Sequence, residues 1–411
     1  MDRIILHCDL NYFYANVEML YHPETRDLPI AVGGDADKRH GIILAKNPLA
    51  KKYGIKTGEA LWQAKQKCPD LLIYPATINR YSKFSKIVKN IFTDYSDKIE
   101  SFGIDEAWID VTRTCHLYGS PYHLAHCLKE KIKTVTGVTV SVGISYNKVF
   151  AKLGSEYGLP DSITLINRAN KVELIDPLPV SDLLFIGRKT AIKLATLNIH
   201  TIGDLAAVTP QFLQKHFGKV GTSMYMYANG LDDSDVTPEE RVPKSVGNSS
   251  TTVCDMYTYQ DIYLVLITLS QSVASRLKTQ DLKGRCLSLS IRTNELEWST
   301  FQTTLSNHTN LYSEIIRAGF ALLKKNYHLE KPLRSVGITV SQLVKCGSEQ
   351  QLSLFDQNEK ETAFTLESTI DRIRSRFGYP AVNYAILHLN KDLVDFSPKD
   401  EHIVFPGGHK S

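Results

Sequence analysis

Closely spaced cysteine pairs are absent from this sequence of 411 residues. It has no CxxC motif, and its cysteines number seven, an odd count. Cysteine-based zinc sites and the disulfide frameworks of small secreted domains both need closely spaced or paired cysteines. We therefore expect reduced thiols, no structural zinc site and a cytosolic protein. The seven are Cys8, Cys68, Cys115, Cys127, Cys254, Cys286 and Cys346.

Long apolar runs are also missing. No stretch reaches the roughly 18 apolar residues that a membrane-spanning helix requires. The N-terminal run Ile4–Leu6 is too short for the apolar core of a secretory signal peptide. These absences predict a protein that has no membrane partner.

A strong net charge is lacking as well, because the whole chain carries a formal charge of only +4. The charge is unevenly distributed: residues 241–345 hold 13 Lys or Arg against 7 Asp or Glu, and residues 346–411 hold 7 against 10. A basic segment followed by an acidic tail favours a polyanion-binding domain in the first of the two. Ordinary surface charge explains counts of this size equally well.

The composition that is present, 43% hydrophobic and 22% charged, is that of a globular protein with several cores. In the first 165 residues apolar strands alternate with helices, such as the amphipathic segment 81–96, which predicts an α/β or α+β sandwich. A pair of Gly-containing helical hairpins follows, centred on Gly187 and on Gly218 with Gly221. Residues 232–243 resemble a linker.

Residues 245–345 have the pattern of a small α+β domain. Apolar periodicity predicts a strand, a helix at about 258–277, strands at 284–293 and 298–306, a helix at 310–327 and a strand at 333–343. This order is βαββαβ. A polar tail follows, with one helix at about 361–377 and then a short strand.

Three acids carry the strongest chemical signal. Asp9 ends an apolar strand, and Asp105 and Glu106 are adjacent within an apolar segment. Like charges so close together are costly to bury unless a cation or a proton is shared, and a pair of Mg²⁺ ions is the recurrent solution in phosphoryl transfer. Taken alone, the pair is more typical of a solvated hairpin turn than of a metal site, and a single aspartate at a strand end is usually a turn residue.

Two further motifs allow more than one reading. The basic helix that holds Lys46, Lys51 and Lys52 could face a triphosphate or could be a solvated surface. Glycines of the two helical hairpins let backbone N–H groups approach phosphates, although many such glycines only form turns. The apolar segment QLSLF (Gln351–Phe355) in a polar tail either binds a partner groove or packs on its own domain.

Three motifs in one order resemble those of the Y-family translesion DNA polymerases, nearest to the DinB (DNA polymerase IV-like) and UmuC-type bacterial branches. They are HCDLNYFYANVE from His7, FGIDEAWIDVT from Phe102 and VTVSVGISYNKVFAKLGSE from Val138. The resemblance extends through residue 345. It implies an α+β multidomain right-hand polymerase: palm at 1–19 and 78–165, small fingers at 20–77, helix-hairpin-helix thumb at 166–240, DNA-binding βαββαβ little finger at 241–345 and a C-terminal tail at 346–411.

The same resemblance implies a catalytic site. Asp9, Asp105 and Glu106 would be the catalytic and metal-binding carboxylates, with the Leu10 carbonyl as a further ligand of two Mg²⁺ ions, for which Mn²⁺ could substitute. The reaction would be template-directed, error-prone transfer of a nucleotide from dNTP to a primer 3′-hydroxyl, without proofreading. The alternative is a non-catalytic accessory protein of the same family that binds DNA and the clamp.

The resemblance also implies how the nucleotide is held. Tyr14 occupies the steric-gate position, where its ring would exclude a ribose 2′-hydroxyl, although a core aromatic is the alternative. Asn11, Tyr12 and Phe13 would lie along the triphosphate, and Lys51 and Lys152 would bind it. The fingers motif Thr-x-Asn-Tyr-x-x-Arg is altered here: the corresponding residues are Ala45, Asn47, Pro48 and Lys51. Gly103 replaces a serine and Leu159 a lysine.

QLSLF resembles the sliding-clamp-binding peptide of bacterial polymerases, which implies contacts through Gln351, Leu352, Leu354 and Phe355. The expected partners are thus primer-template DNA, dNTP and the replicative clamp. By the same resemblance the protein would be a monomer in the bacterial cytoplasm, associated with the nucleoid.

Overall fold

The computed structural model describes residues 2–35, 41–238, 243–347 and 357–394, with the backbone alone for residues 357–360. These residues form two compact units. One comprises residues 2–33 and 43–238, and the other comprises 34–35, 41–42, 243–347 and 357–394. Within the described residues, no helix is long and apolar enough to cross a membrane.

The first part of the first unit alternates strands and helices, as the sequence predicts. Its elements are β1 (Ile5–Leu10), α1 (Phe13–Tyr21), β2 (Ile30–Gly33), β3 (Ile43–Lys46), α2 (Pro48–Lys52), α3 (Leu61–Lys67), β4 (Leu72–Pro75), α4 (Ile78–Phe92), β5 (Ile99–Ser101), β6 (Glu106–Asp110), α5 (Pro121–Thr136), β7 (Val140–Ser145), α6 (Lys148–Glu156) and β8 (Ile163–Leu165).

A five-stranded sheet of order β5-β6-β1-β7-β8 is the centre of this unit. β1 is antiparallel to both of its neighbours, and its apolar side chains are buried, so that β1 lies in the middle of the core. Helix α6 packs closely on the sheet because Gly143 in β7 has no side chain. A Cβ there would overlap the backbone of Ala151 and Ser155. This close approach brings α6 over the middle of the sheet.

A small separate sheet of order β3-β2-β4 carries α2 and α3. Asn47 organises it: its side-chain oxygen accepts hydrogen bonds from Ala50 N at 2.9 Å and Ile30 N at 3.2 Å, and its amide donates to Leu28 O at 2.8 Å. The first of these bonds caps α2, with Pro48 in its first turn. Asn47 therefore has a structural reason to be present in the altered fingers motif.

Five short helices complete the first unit: α7 (Lys171–Leu174), α8 (Arg188–Ala195), α9 (Ile202–Ala207), α10 (Pro210–Phe217) and α11 (Lys219–Ala228). Gly187 immediately precedes α8, and Gly218 joins α10 to α11. Gly218 has a positive φ of 62°, which glycine adopts at little cost. The helical hairpin expected at Gly218 is thus present, whereas before Gly187 the chain forms only a short 3₁₀ turn, Val180–Asp182, in place of the first predicted helix.

The second unit confirms the predicted βαββαβ order. Its elements are β9 (Ser245–Met256), α12 (Tyr259–Thr279), β10 (Leu282–Thr293), β11 (Trp298–Thr309), α13 (Tyr312–Asn326), β12 (Leu333–Lys345), α14 (Gln357–Phe377) and α15 (Lys391–Val394). The strands form an antiparallel sheet of order β11-β10-β12-β9. Residues of α12 and α13 share one hydrophobic core with this sheet.

The described residues of the predicted C-terminal tail pack against the rest of the second unit. In α14 the carboxylate of Glu367 accepts hydrogen bonds from the N–H groups of Tyr312 (2.9 Å) and Ser313 (3.2 Å), which begin α13. Lys278 lies 3.1 Å from both Glu367 and Asp371. The tail helix is therefore an integral part of the domain, because its acidic side chains cap α13 and pair with α12.

The end of the described chain is also packed. Tyr379 donates a hydrogen bond to Gln271 Oε1 at 2.6 Å, and Leu387 and Leu393 join the core. The described residues after the tail helix, 378–394, contain no strand: they form 3₁₀ turns and the short helix α15. Pro380 lies in the first of these turns, where the fixed φ of proline favours a helical turn over a ladder.

Candidate active site

The three predicted carboxylates lie at one end of the central sheet. Asp9 in β1 is directly opposite Glu106 in β6, and β1 pairs with β6 along its length. Asp105 comes next, with its carbonyl accepting a hydrogen bond from Leu10 N at 3.1 Å. The register of two antiparallel strands thus brings together residues that are nearly a hundred positions apart in the sequence. Neither motif alone could show that they are close.

The loop before the acid pair is fixed by α4. Lys89 Nζ donates to Gly103 O at 2.7 Å, and the hydroxyl of Ser85 donates to Ile104 O. Gly103 has a φ of 116°, a conformation that a residue with a side chain rarely adopts. The backbone conformation at position 103 therefore suits the glycine that stands where the family has a serine. The side chains of Ser85 and Lys89 hold the loop that leads to Asp105.

Burial and mutual repulsion act together on two of the acids. Burial, followed by the charges of Glu106 and Asp105, raises the pKa of Asp9 to about 8. Burial and then Glu106 raise the pKa of Asp105 to about 6. Each of these carboxyls is therefore harder to ionise than in water, as expected of like charges that share a small volume.

Glu106 behaves in the opposite way. Its Oε2 lies 2.6 Å from Lys152 Nζ and 3.4 Å from His7 Nε2. Burial opposes ionisation, but the nearby His7 ring and the charge of Lys152 outweigh it and lower the pKa of Glu106 to about 2. His7 is fully buried, and its Nδ1 lies 2.7 Å from Ser155 Oγ. Glu106 is thus held as a carboxylate by Lys152 of α6.

The donor chemistry of this site fits a divalent cation. Carboxylate oxygens are the ligands that Mg²⁺ prefers, and a cation would relieve the repulsion that raises two of the pKa values. Among the described residues no three His, Cys, Asp or Glu side chains already converge as a closed metal-binding cluster. Instead, an oxygen of Glu106 faces Lys152.

A pH-dependent stability difference follows from the raised pKa of Asp9. An unfolded aspartate ionises near pH 4, whereas folded Asp9 stays neutral up to about pH 8. The stability of the folded protein therefore decreases as pH rises from about 4 to 8. With divalent metal chelated, Asp9→Asn is expected to be more stable than the parent at about pH 8.5, by roughly 1–3 kcal/mol more than at about pH 5. Denaturant unfolding at the two pH values measures this difference.

The matched control is Asp27→Asn, since Asp27 is exposed. Its effect on the free energy of unfolding should change little between the two pH values. If Asp9→Asn changes the free energy of unfolding equally at the two pH values, folding does not raise the pKa of Asp9.

The aromatic residues after Asp9 have three different environments. Tyr12 begins α1 with a positive φ of 38°, and Phe13 is buried in the core. Tyr14 is half-buried, and its ring stacks on Tyr81 with a centroid distance of 4.3 Å and an interplanar angle of 13°. Burial and the charge of Asp105 raise the pKa of Tyr14 to about 12. Tyr14 therefore lies beside the acids with a fixed ring.

Asn11 and Lys152, both predicted to contact a triphosphate, have partners within the protein. Asn11 N donates to Thr139 O at 3.0 Å, and its side chain bonds Ser141 Oγ at 2.7 Å. Its oxygen accepts from Asp161 N at 2.9 Å. Lys152 pairs with Glu156 at 2.8 Å as well as with Glu106. In this structure both residues shape the site.

The basic side chains of α2 are exposed, at Lys51 and Lys52. The positive charge of Lys51 helps to lower the pKa of Lys46, after the larger effect of burial, which shows that these two cations are close. Leu159, where the family has a lysine, is 81% exposed. The predicted clamp peptide, Gln351–Phe355, lies outside the described residues.

Several residues of the site were missed by sequence reasoning. They are His7, Ser85, Lys89 and Ser155, and the ion-pair role of Lys152 was missed as well. One signal was available: His7 is a polar residue within the apolar strand IILHCDL, where an unpaired imidazole would be costly. The partners of the others lie on distant elements, and nothing local points to them.

Comparison with protein families gives three matches. Residues 8–156 match the impB/mucB/samB family, and residues 243–354 match the C-terminal domain of that family. Residues 181–232 match the thumb domain described for DNA polymerase-iota. The three matches leave out mainly short connecting stretches and the last part of the chain.

Similar proteins span nearly the whole chain. A DNA polymerase IV of Acetivibrio thermocellus is 44% identical over 396 residues, which cover 96% of this chain and 99% of that protein. A DNA polymerase IV of Pelotomaculum thermopropionicum is 37% identical over 384 residues, 93% of this chain and 94% of that protein. Among solved structures, a Y-family polymerase chimera aligns with a TM-score of 0.73 at 22% identity, over 83% of this chain and 99% of that chain.

Proposed function

The chain belongs to the impB/mucB/samB family and is a DNA-directed DNA polymerase with the Y-family fold, and from this we propose how it works. It binds primer-template DNA and dNTP and carries out translesion synthesis. We infer that it uses two Mg²⁺ ions, for which Mn²⁺ can substitute, and that its synthesis is error-prone. The observation that carries the proposal is the partly buried, cross-strand pair Asp9 and Glu106 with Asp105 adjacent.

The metal-binding residues in this proposal are Asp9, Asp105, Glu106 and the carbonyl of Leu10. These residues would hold a divalent cation, which would supply Lewis acidity to the primer 3′-hydroxyl and positive charge against the reacting phosphates. The chain supplies the alignment: Lys152 holds Glu106, and the β1 backbone holds Asp105. Preorganised carboxylates are effective because they need little rearrangement during the reaction.

Tyr14 selects the sugar in this proposal. Its ring lies beside Asp105 and is backed by Tyr81, so a ribose 2′-hydroxyl would meet it as a clash. The backbone turn at Tyr12 and Phe13 lines the triphosphate. Lys51 is the exposed cation that would bind the phosphates, in place of the arginine of the family motif. Lys152 contributes through Glu106.

The matched segments support an assignment of domain roles. We assign the palm to residues 1–19 and 78–165, the fingers to 20–77, the thumb to 166–240 and the little finger to 241–345. The fingers, whose described residues form three strands and two short α-helices, are small enough to leave a nascent pair loosely enclosed. The basic little finger binds the duplex backbone, with an affinity that falls steeply with salt. We assign no segment to proofreading.

We place the protein in the bacterial cytoplasm at the nucleoid, acting as a monomer. The QLSLF segment supports binding to the replicative sliding clamp through Gln351, Leu352, Leu354 and Phe355. It provides apolar side chains for a groove, the usual way in which short motifs bind.

The clamp contact predicts a separable defect. Leu354→Ala combined with Phe355→Ala is expected to weaken binding to the clamp about 100-fold or more, since two buried apolar anchors would be lost. Extension of a primer by the polymerase alone should be unchanged. Surface plasmon resonance on immobilised clamp measures the first effect, and Ser353→Ala is the matched control. Equal clamp binding by the double variant and the parent would remove this segment from the proposal.

Two alternatives are separated by one pair of assays. A non-catalytic accessory protein would bind primed DNA and clamp but would never extend the primer. A nucleotidyl transferase that does not use DNA, such as a cyclase, would consume nucleotide without any template. The proposal predicts extension that requires both a primer and a template.

A further inference from the structure

Glu18 is a buried acid that the catalytic site does not use. It lies in α1, where its side chain is only 2% exposed. Its Oε1 accepts a hydrogen bond from the hydroxyl of Tyr81 at 2.6 Å, and its Oε2 accepts one from Arg80 Nη1 at 2.6 Å. Both partners are consecutive residues of α4, so this carboxylate joins α1 to α4 at a single point.

The buried charge is fully satisfied. A carboxylate removed from water is stable only when it is paired and hydrogen-bonded, and Arg80 provides the charge. The guanidinium of Arg80 is itself held over the ring of Tyr21 at 3.8 Å. Burial and the Glu18 hydrogen bond raise the pKa of Tyr81, which keeps its hydroxyl as a donor. The contact is therefore built for a fixed geometry.

Tyr81 connects this contact to the sugar pocket. Its ring is fully buried and stacks on Tyr14. The ring centroid of Phe13 lies 6.3 Å from that of Tyr81. Tyr14 is only half-buried, so its ring position depends on what stands behind it. Anchoring of the Tyr81 hydroxyl fixes the plane on which Tyr14 rests.

We propose that Glu18 is a positioning residue for sugar selection, which acts through Tyr81 to hold the Tyr14 ring where it excludes a ribose 2′-hydroxyl. This inference rests on the proposed role of Tyr14 as the gate. A gate works by steric clash, so a shift of the ring by a fraction of an ångström relaxes it without changing the carboxylates. Glu18 thereby sets selectivity for deoxynucleotides and leaves their incorporation largely unaffected.

The test compares kcat/KM for a dNTP and for the rNTP with the same base. Glu18→Gln loses the charge that holds Arg80, and Tyr81→Phe keeps the ring but loses the anchored hydroxyl. Each is expected to lower the dNTP/rNTP ratio by roughly 3- to 10-fold, the value of one hydrogen bond in a protein. The double variant should lose little more than either single variant, because both changes break the same contact.

A control separates positioning from general destabilisation. Glu367 is also a 2% exposed carboxylate that pairs with a cation and accepts backbone hydrogen bonds, but it lies in the other unit. Glu367→Gln should leave the dNTP/rNTP ratio unchanged. If Glu18→Gln does not fold, Tyr81→Phe, which removes a single oxygen atom, decides the question.

The outcomes distinguish this inference from the proposed function. Selectivity that is unchanged in folded, active Glu18→Gln and Tyr81→Phe, with selectivity lost in Tyr14→Ala, overturns the role of Glu18 and leaves the gate. Selectivity that is unchanged in Tyr14→Ala as well removes the gate and this inference together. A parent protein that does not extend primers contradicts the proposed function itself.

Discussion

Replacement of Asp105 by alanine is expected to lower the rate of primer extension by about 1,000-fold or more. The carboxylate contributes to binding the cation and to stabilising charge that develops in the transition state, and the loss of one such group costs two to three orders of magnitude. Asp105 is also the acid whose position is fixed twice, by Leu10 N and by the α4 contacts to the preceding loop. Single-turnover primer extension at saturating dNTP measures the effect.

The variant should still fold and bind DNA. Asp105 has a pKa raised to about 6, mainly by burial, so removal of its charge relieves repulsion in the metal-free protein. Asp105→Asn, which keeps the shape, should lose as much activity as Asp105→Ala. Asp97→Ala, at an exposed position, is the control. Normal synthesis by a folded Asp105 variant would rule out this assignment of the site.

Replacement of Tyr14 by alanine is expected to reduce discrimination against ribonucleotides by roughly 100- to 1,000-fold. The ring is the group that would clash with a 2′-hydroxyl, and a clash of this kind costs several kcal/mol. Incorporation of dNTP should fall far less, because the carboxylates are unaffected. The measurement is kcat/KM for dNTP and for rNTP, determined separately.

Tyr14→Phe is the matched control, since it keeps the ring on Tyr81 and removes only the hydroxyl. Its selectivity should stay close to that of the parent. If Tyr14→Ala rejects ribonucleotides as well as the parent does, then Tyr14 is a core aromatic, and sugar selection has to be sought elsewhere.

Most of the element order was predictable because the periodicity of apolar residues is local. The helix predicted at about 258–277 is Tyr259–Thr279, and the strand predicted at 284–293 is Leu282–Thr293. Gly103, near which the sequence divides the acidic segment into two strands, does lie between β5 and β6. Such features depend on residues within one or two turns of each other.

The C-terminal segment shows where local reasoning ends. Its composition is polar and gave no sign of a packed helix, yet Glu367 and Arg374 are buried. A polar side chain can be buried when its partner is in place, and those partners are in distant elements: Lys278 of α12 and the N-terminus of α13 for Glu367. No periodicity within the tail could reveal them.

The active site likewise has some features that the local sequence predicts and others that it does not. Adjacent acids in an apolar context pointed to Asp105 and Glu106, whereas the placement of Asp9 opposite Glu106 needed the strand register. The partner of Lys152 was predicted to be a triphosphate and is Glu106 in this structure. Both are lysine contacts to oxygen anions, so charge alone does not distinguish them.

The most direct test of the central claim is single-nucleotide insertion on a primed template in Mg²⁺. Each dNTP is offered separately opposite each of the four template bases, and elongation of a labelled primer is followed on a gel. The account predicts elongation that depends on the template, favours the complementary dNTP and disappears in Asp105→Ala. A parent protein that binds the primed DNA but elongates no primer, at any concentration of Mg²⁺ or dNTP, would contradict it.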